Sequence, residues 1–438
     1  MSEKTENELT DCLLGFRYWI DEPGNDAMWF WSENHALMFH TCQLLAGELF
    51  PDEVFTNSGL TGRQMQDKAK NMLYDWFVTF RKEGFTEWNS SPYLPIDTLG
   101  FGSLYAFAQD PAMRELGREG MDFAYYLLAV HSQQGIFASS SGRTYIKEQF
   151  GNWSNCPSGL SWIGYGYGVP GHAGKGITSY CLSDYEPPKE FAQWFSIPRG
   201  KEMICQTTQG NDGYVDLYTY KTADYMMTSA NDFHPGEPGH QENPFQLTFN
   251  AVAQLWVTHP GERVLFGAAR PSYWAGNGTL PKVNQYKAFA GLIYDIAPEH
   301  PVDFTHLYLP SMEFDRCEVE GKWAFVQLGS AYAAVYCSNG MRMQDFGSNK
   351  DRECIAEGRR CIWLVRAAQA DEFAAFEDFK AAMRGAALDA DAEGRRYRFV
   401  DPVYGELRCQ WGETLYVNDA PMQYSGFDNY GKLTMQEK

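Results

Sequence analysis

TGRQMQDKAKNMLYDWFVTFRK, residues 61–82, puts Ala69, Met72, Leu73, Trp76, Phe77 and Phe80 on one stripe at a spacing of three and four. That period belongs to an α-helix with one buried side, and Gly84 marks its end. The same period runs through 27–50, stopped by Pro51, and through 96–108 and 113–132, split by Asp110-Pro111. Helices in consecutive pairs with short links predict an array of αα-hairpins or part of a toroid.

The pattern changes downstream. Residues 135–200 are rich in Gly, Ser, Tyr and Trp, as in Gly164-Tyr-Gly-Tyr-Gly168, and predict a long connection with a few short helices. From about Glu202, short apolar runs alternate with turn residues. Strands are expected over 214–220, 224–229, 245–258, 263–266, 323–327, 332–336 and 361–365, with one helix over 371–384. Such spacing predicts an antiparallel β-sandwich. The expected class is therefore α+β, with a helical domain over 1–195 and a β domain over 196–438.

Bulk properties narrow the function. The chain has 438 residues, enough for two or three cores, with 44% hydrophobic and 21% charged residues, as in ordinary globular proteins. A net charge of −20 excludes a nucleic-acid partner, which needs a basic surface. It also opposes an acidic substrate unless a cleft concentrates Arg, Lys and His locally. The first twenty residues lack the charge-then-apolar order of a signal peptide, and no stretch approaches the roughly 18 apolar residues of a membrane span. None of the ten cysteines forms a C-x-x-C pair, so reduced thiols and a cytoplasmic location are expected. Oligomeric state is not legible. The aromatic share of 16%, with 13 Trp and 26 Tyr, suits both core filling and stacking on sugar rings.

Gly171-His-Ala-Gly-Lys175 is not a phosphate loop, because Val169 stands at the required first glycine and Gly176 follows the lysine. Three other strings carry chemistry. Trp31-Ser-Glu-Asn-His35 sets an amide beside an imidazole within an apolar run, and on a helix Trp31, His35 and Met38 share a face. Ser32 also suits a plain helix cap. Glu87-Trp-Asn-Ser-Ser-Pro-Tyr93-Leu-Pro places Tyr93 between two prolines, which restrict its backbone. Asn231-Asp-Phe-His234-Pro-Gly-Glu-Pro-Gly-His240-Gln-Glu242 puts two histidines in a Gly/Pro-rich loop where packing does not need them.

Taken in order, an Asn-His pair on an early helix, a later tyrosine and a Gly-His-Gln loop before the strands resemble the heparinase II/III-type polysaccharide lyases, which include alginate, oligoalginate and heparin lyases. The resemblance spans most of the chain with short motifs. It implies an N-terminal (α/α) toroid, incomplete here because the Asn-His helix starts near residue 28, followed by an antiparallel β-sandwich. It implies that Asn34 and His35 bind the substrate carboxylate, that Tyr93 is the catalytic tyrosine, and that His240 is the histidine supplied by the β domain. Glu33, Trp31, Trp88, Arg143, Tyr145, Trp162 and His234 are expected to contact substrate. No cofactor is required, and Glu242 and Pro244 replace the second His and the Asp of the family's zinc site, which leaves a structural divalent metal without two ligands.

The implied reaction is β-elimination on an acidic, uronate-containing polysaccharide. A proton leaves the carbon beside the carboxylate, and the glycosidic oxygen departs one carbon further on. Donors at the carboxylate stabilise the enolate-like state, each contributing roughly 3–4 kcal/mol. An unperturbed His titrates near about 6.5 and Tyr near about 10, so His240 is ready as a base. Tyr93 is the acid, and also the base only if its pKa falls. Two rivals remain: a toroid glycoside hydrolase acting on uronides through two of Glu33, Glu87, Asp97 and Asp122, and a non-catalytic sugar-binding protein.

Overall fold

The computed structural model describes residues 2–151, 155–168, 170, 175–211, 213–265 and 267–438. Five helices of thirteen residues or more come first: α1 (Glu3–Gly15), α2 (Glu33–Leu49), α3 (Gly62–Glu83), α4 (Leu94–Phe107) and α5 (Pro111–Val130). α2 packs on α3 and α4 on α5, while α2 and α4 lie side by side. α1 was not expected, and none of its residues is buried.

Local chemistry sets the helix ends. The Thr61 Oγ1 accepts the Gln64 N–H while the Gln64 side chain accepts the Thr61 N–H, a capping box that starts α3. Gly84, at φ +67, ends it. The stripe read from 61–82 is the buried side: Ala69, Leu73, Phe77 and Phe80 join Leu37, Leu44, Phe101, Leu104 and Phe123 in one helical core.

The expected start of the second helix needs correction. Residues 27–32 are not helical, since Met28 and Trp29 take left-handed backbone at φ 54 and 47. α2 therefore begins at Glu33, and Trp31 precedes it. Ser32 occupies the cap position without a side-chain bond to the helix backbone.

Every strand pairing is antiparallel. A nine-stranded sheet runs, in spatial order, through Arg342–Met343, Glu353–Glu357, Phe304–Tyr308, Gln254–Thr258, Phe245–Thr248, Met226–Asn231, Val215–Lys221, Lys201–Gln209 and Lys432–Glu437. A six-stranded sheet runs through Arg316–Glu320, Trp323–Leu328, Ala331–Cys337, Arg360–Gln369, Phe289–Asp295 and Lys282–Tyr286. Their apolar sides share one core, in which Tyr220, Met227, Leu255 and Leu307 meet Val283, Leu292, Phe325 and Val365. A five-stranded sheet spanning Leu388–Asp391 to Ala420–Pro421 packs against it through Tyr397 and Phe399 on Phe289.

Three segments differ from expectation. The run 245–258 is a hairpin rather than one strand, because Asn250 Oδ1 accepts the N–H groups of Val252 and Ala253 at 2.9 and 2.8 Å and turns the chain. Residues 263–265 form no strand, and Phe266 lies outside the described residues, as do 171–174 of the rejected phosphate loop. The late helix is Phe376–Gly385, shorter at its start than the expected 371–384.

Candidate functional site

The last turn of α3 and the first turn of α2 border a cleft of about 760 Å³. Its lining includes Trp31, Glu33, His35, Tyr93, Arg143 and Tyr145 from the sequence reading, together with Trp29, Phe30, Trp76, Glu87 and Arg270. The strands' contribution arrives through a loop, residues 141–144, stitched on both sides. Gly142 N–H donates to the Trp88 carbonyl at 2.8 Å, and Thr144 N–H donates to the Gln241 carbonyl at 3.1 Å. Ser141 and Asn243 exchange backbone bonds at 2.9 and 2.7 Å. Arg143 and Tyr145 are thereby held against the loop that carries Tyr93.

Tyr93 and Tyr145 meet hydroxyl to hydroxyl at 3.0 Å. The Arg143 guanidinium lies over the Tyr93 ring, 5.4 Å from its centre, and 3.5 Å from Glu87 Oε1. Burial raises the Tyr93 pKa, the bond to Tyr145 raises it further, and Arg143 opposes both without reversing them. Tyr93 is accordingly a protonated phenol at neutral pH, suited to giving a proton rather than taking one.

His35 and Asn34 separate in role. The Asn34 side chain is buried, and its Oδ1 accepts from the His35 backbone N–H at 2.8 Å and from the Ser32 hydroxyl. The same oxygen is 3.0 Å from His35 Nδ1. An amide oxygen only accepts, so Nδ1 is the donor here, which in a neutral imidazole leaves the lone pair on Nε2. No described residue bonds Nε2, and His35 lines the cleft. Asn34 does not line it, and its side-chain oxygen faces the imidazole.

Glu33 and Glu87 form a carboxyl floor to the cleft, and Asp97, which does not line it, feels their charge. Glu33 accepts the backbone N–H groups of Thr86 and Glu87 at 2.8 and 3.1 Å, latching the loop before Tyr93 to α2. Burial lifts its pKa to about 7, the two backbone bonds lower it, and Glu87 adds to the rise. Glu87 is raised by burial against the pull of Arg143. Asp97, buried in the first turn of α4, stands well above the usual carboxylate range through burial first and then Glu33 and Glu87. The floor thus carries less negative charge at neutral pH than its composition implies. Asp122 is elsewhere, bonded to Tyr185 and Arg118.

The rim is aromatic. Trp29, Phe30 and Trp31 are 56%, 49% and 61% exposed, with Trp31 edge-on to both others at 5.2 and 5.1 Å. Such a patch offers flat apolar surface to a ligand.

Four expected residues lie apart from this cleft. Trp88, 1% exposed, is packed on Phe233 and faces the core. Trp162 is 47% exposed on the short helix Ser158–Tyr165 and does not line the cleft. His234 packs beside Tyr214 and 3.4 Å from Glu237. His240 is exposed, with its backbone N–H on Glu242, and lines neither the cleft nor the cavity beside it. Among the described residues no group of three or more His, Cys, Asp or Glu side chains is placed to hold a metal ion, and no helix is long and apolar enough to cross a membrane. Trp29, Phe30, Trp76 and Arg270 were missed. An aromatic run beside the Asn-His pair was the available signal for the first two, and nothing local marked the others.

No family model matches the chain, and no curated protein matches it. Among solved structures, a heparinase III is similar at a TM-score of 0.41 and 9% identity, over 94% of this chain and 70% of that one. A second heparinase III is similar at a TM-score of 0.41 and 11% identity, over 92% of this chain and 66% of that one.

Proposed function

We propose that the chain is a polysaccharide lyase that cleaves a uronic-acid-containing glycan by β-elimination. The observation that carries the reading is the placing of the His35 imidazole, whose Nε2 no described residue bonds, and a protonated phenol, Tyr93, on one cleft beside Arg143. On this reading the two helical hairpins belong to an incomplete toroid over 1–195, and the sheets to a sandwich over 196–438.

Arg143 and the Tyr145 hydroxyl receive the uronate carboxylate and stabilise the charge that builds on it. His35 Nε2 removes the proton from the adjacent ring carbon. The electron pair left behind forms the ring double bond as the bond to the glycosidic oxygen breaks, and Tyr93 protonates that oxygen. His35 ends as imidazolium and Tyr93 as phenolate, and one proton returned through solvent resets both. His240 has no part in this scheme, and Asn34 positions His35 instead of binding the carboxylate.

The elimination product absorbs in the near ultraviolet. Incubation with alginate, glucuronan, heparin-type glycans and pectate should produce that absorbance with at least one of them. Tyr93→Phe should lower kcat by about 10²–10⁴-fold while binding is retained. Absorbance from none of these glycans, or a fully active Tyr93→Phe, would sink the proposal. Glu33 and Glu87 in the same cleft favour a second reading, hydrolysis of a uronide by paired carboxyl groups. That reaction releases reducing ends from saturated glycans without new absorbance.

A further inference from the structure

A second cavity of about 540 Å³ adjoins the cleft, and Tyr145 and Arg270 line both. Its size falls within the roughly 300–1,000 Å³ of ligand sites. Its described lining holds two cations, Lys147 and Arg270, and no carboxylate, in a chain of net charge −20. Lys147 is partly spent on Glu148, 3.1 Å away. Arg270 has no carboxylate partner among the described residues, and its guanidinium sits over the Tyr145 ring, 5.6 Å from the centre. Glu262 lies behind the wall, accepting the Ala269 N–H at 3.0 Å.

A buried amide completes the wall. Gln241, 3% exposed, lines this cavity with its Nε2 donating to the Thr144 carbonyl at 3.0 Å. Its Oε1 is buried without a partner, an acceptor whose desolvation nothing in the described protein offsets.

We infer that this cavity is a second anionic-sugar subsite, in which Arg270 binds the acidic group of the sugar next to the one being cleaved. The inference rests on the lyase reading and narrows it. The substrate carries acidic groups on consecutive sugars, which favours contiguous polyuronates over glycans where uronates alternate with neutral sugars. Either a carboxylate or a sulfate ester presents the paired oxygens that a guanidinium binds.

The test measures near-ultraviolet product formation by wild type, Arg270→Ala, Arg270→Lys and Ala268→Glu. Three substrates are used: a contiguous polyuronate, an alternating uronate–neutral glycan, and that alternating glycan sulfated on its neutral sugar. Ala268 is an exposed residue of the same lining, so its substitution probes the cavity's charge without touching Arg270. Arg270→Ala and Ala268→Glu should raise KM for the contiguous polymer about tenfold or more with little change in kcat, and Ala268→Glu should leave the unsulfated alternating glycan unaffected. Arg270→Lys should recover part of the loss. Calorimetry with a contiguous uronate tetrasaccharide should show weaker binding to Tyr93→Phe/Arg270→Ala than to Tyr93→Phe. A KM effect on the sulfated glycan alone identifies a sulfate and overturns the contiguous-uronate assignment. Unchanged KM in both cavity variants, with wild type active, overturns the subsite and leaves the lyase reading standing. Absence of product from wild type on every glycan removes the lyase reading and the subsite with it.

Discussion

Asn34 and His35 are neighbours in the chain whose side chains meet at 3.0 Å, and that contact makes Nδ1 the donor of the imidazole. Replacing Asn34 by Leu removes one of the two groups 3.0 Å from His35 Nδ1 and frees the other, the Ser32 hydroxyl, to donate to that nitrogen instead. By analogy with tautomer loss at a triad aspartate, kcat should fall by about 10²–10⁴-fold with KM little changed, measured by near-ultraviolet product formation. An unaltered kcat would remove Asn34 from this role. Glu33 makes a different prediction. Its pKa rises from an ordinary 4.5 to about 7, so between those values the native chain binds more protons than the unfolded one. Unfolding free energy therefore falls as pH rises through that window. Glu33→Gln should flatten the fall, seen by comparing urea midpoints at pH 5 and pH 7.5. Of these features, the Asn-His pair and Tyr93 were legible because their chemistry is local. The burial of Trp88 and the exposure of Trp29 and Trp31 were not, because the same residue type serves core and cleft.

At the scale of elements, the loop 141–144 matters more than any helix. It bonds to the Tyr93 loop on one side and the Gln241 loop on the other, and so sets where Arg143 and Tyr145 stand. A Cβ at Gly142 would lie 2.5 Å from the Trp88 Nε1, with no room to relax in a packed neighbourhood. Gly142→Ala should therefore cost about 1–3 kcal/mol of stability and lower kcat/KM together, checked by thermal melts beside kinetics. Preserved activity at full stability would show that the loop tolerates the shift. Helix α3 was readable to within a residue at either end because its capping box, stripe and terminal glycine agree. The start of α2 was not, because left-handed Met28 and Trp29 break a run whose hydrophobic period continues through them.

At the scale of the whole molecule, helices and strands are joined through polar groups as well as apolar ones. Lys221, on the strand Val215–Lys221, donates to the carbonyl of Ala129 near the end of α5 at 3.2 Å and to that of Trp194 at 2.5 Å. Burial lowers its pKa from 10.5 to about 7, so between those values the unfolded chain binds more protons. Stability then rises with pH across that range for this group. The gap between wild type and Lys221→Met in denaturant midpoint should widen in favour of wild type from pH 7.5 to pH 9.5, and a constant gap would contradict the lowered pKa. Class and order, helices and then antiparallel strands, were written in residue periods of 3.6 and 2, which depend only on near neighbours. The identity of a basic nitrogen, the protonation of the cleft floor and the recruitment of Arg270 were not. They depend on burial and on approaches between segments far apart in the chain, and only the folded arrangement creates those.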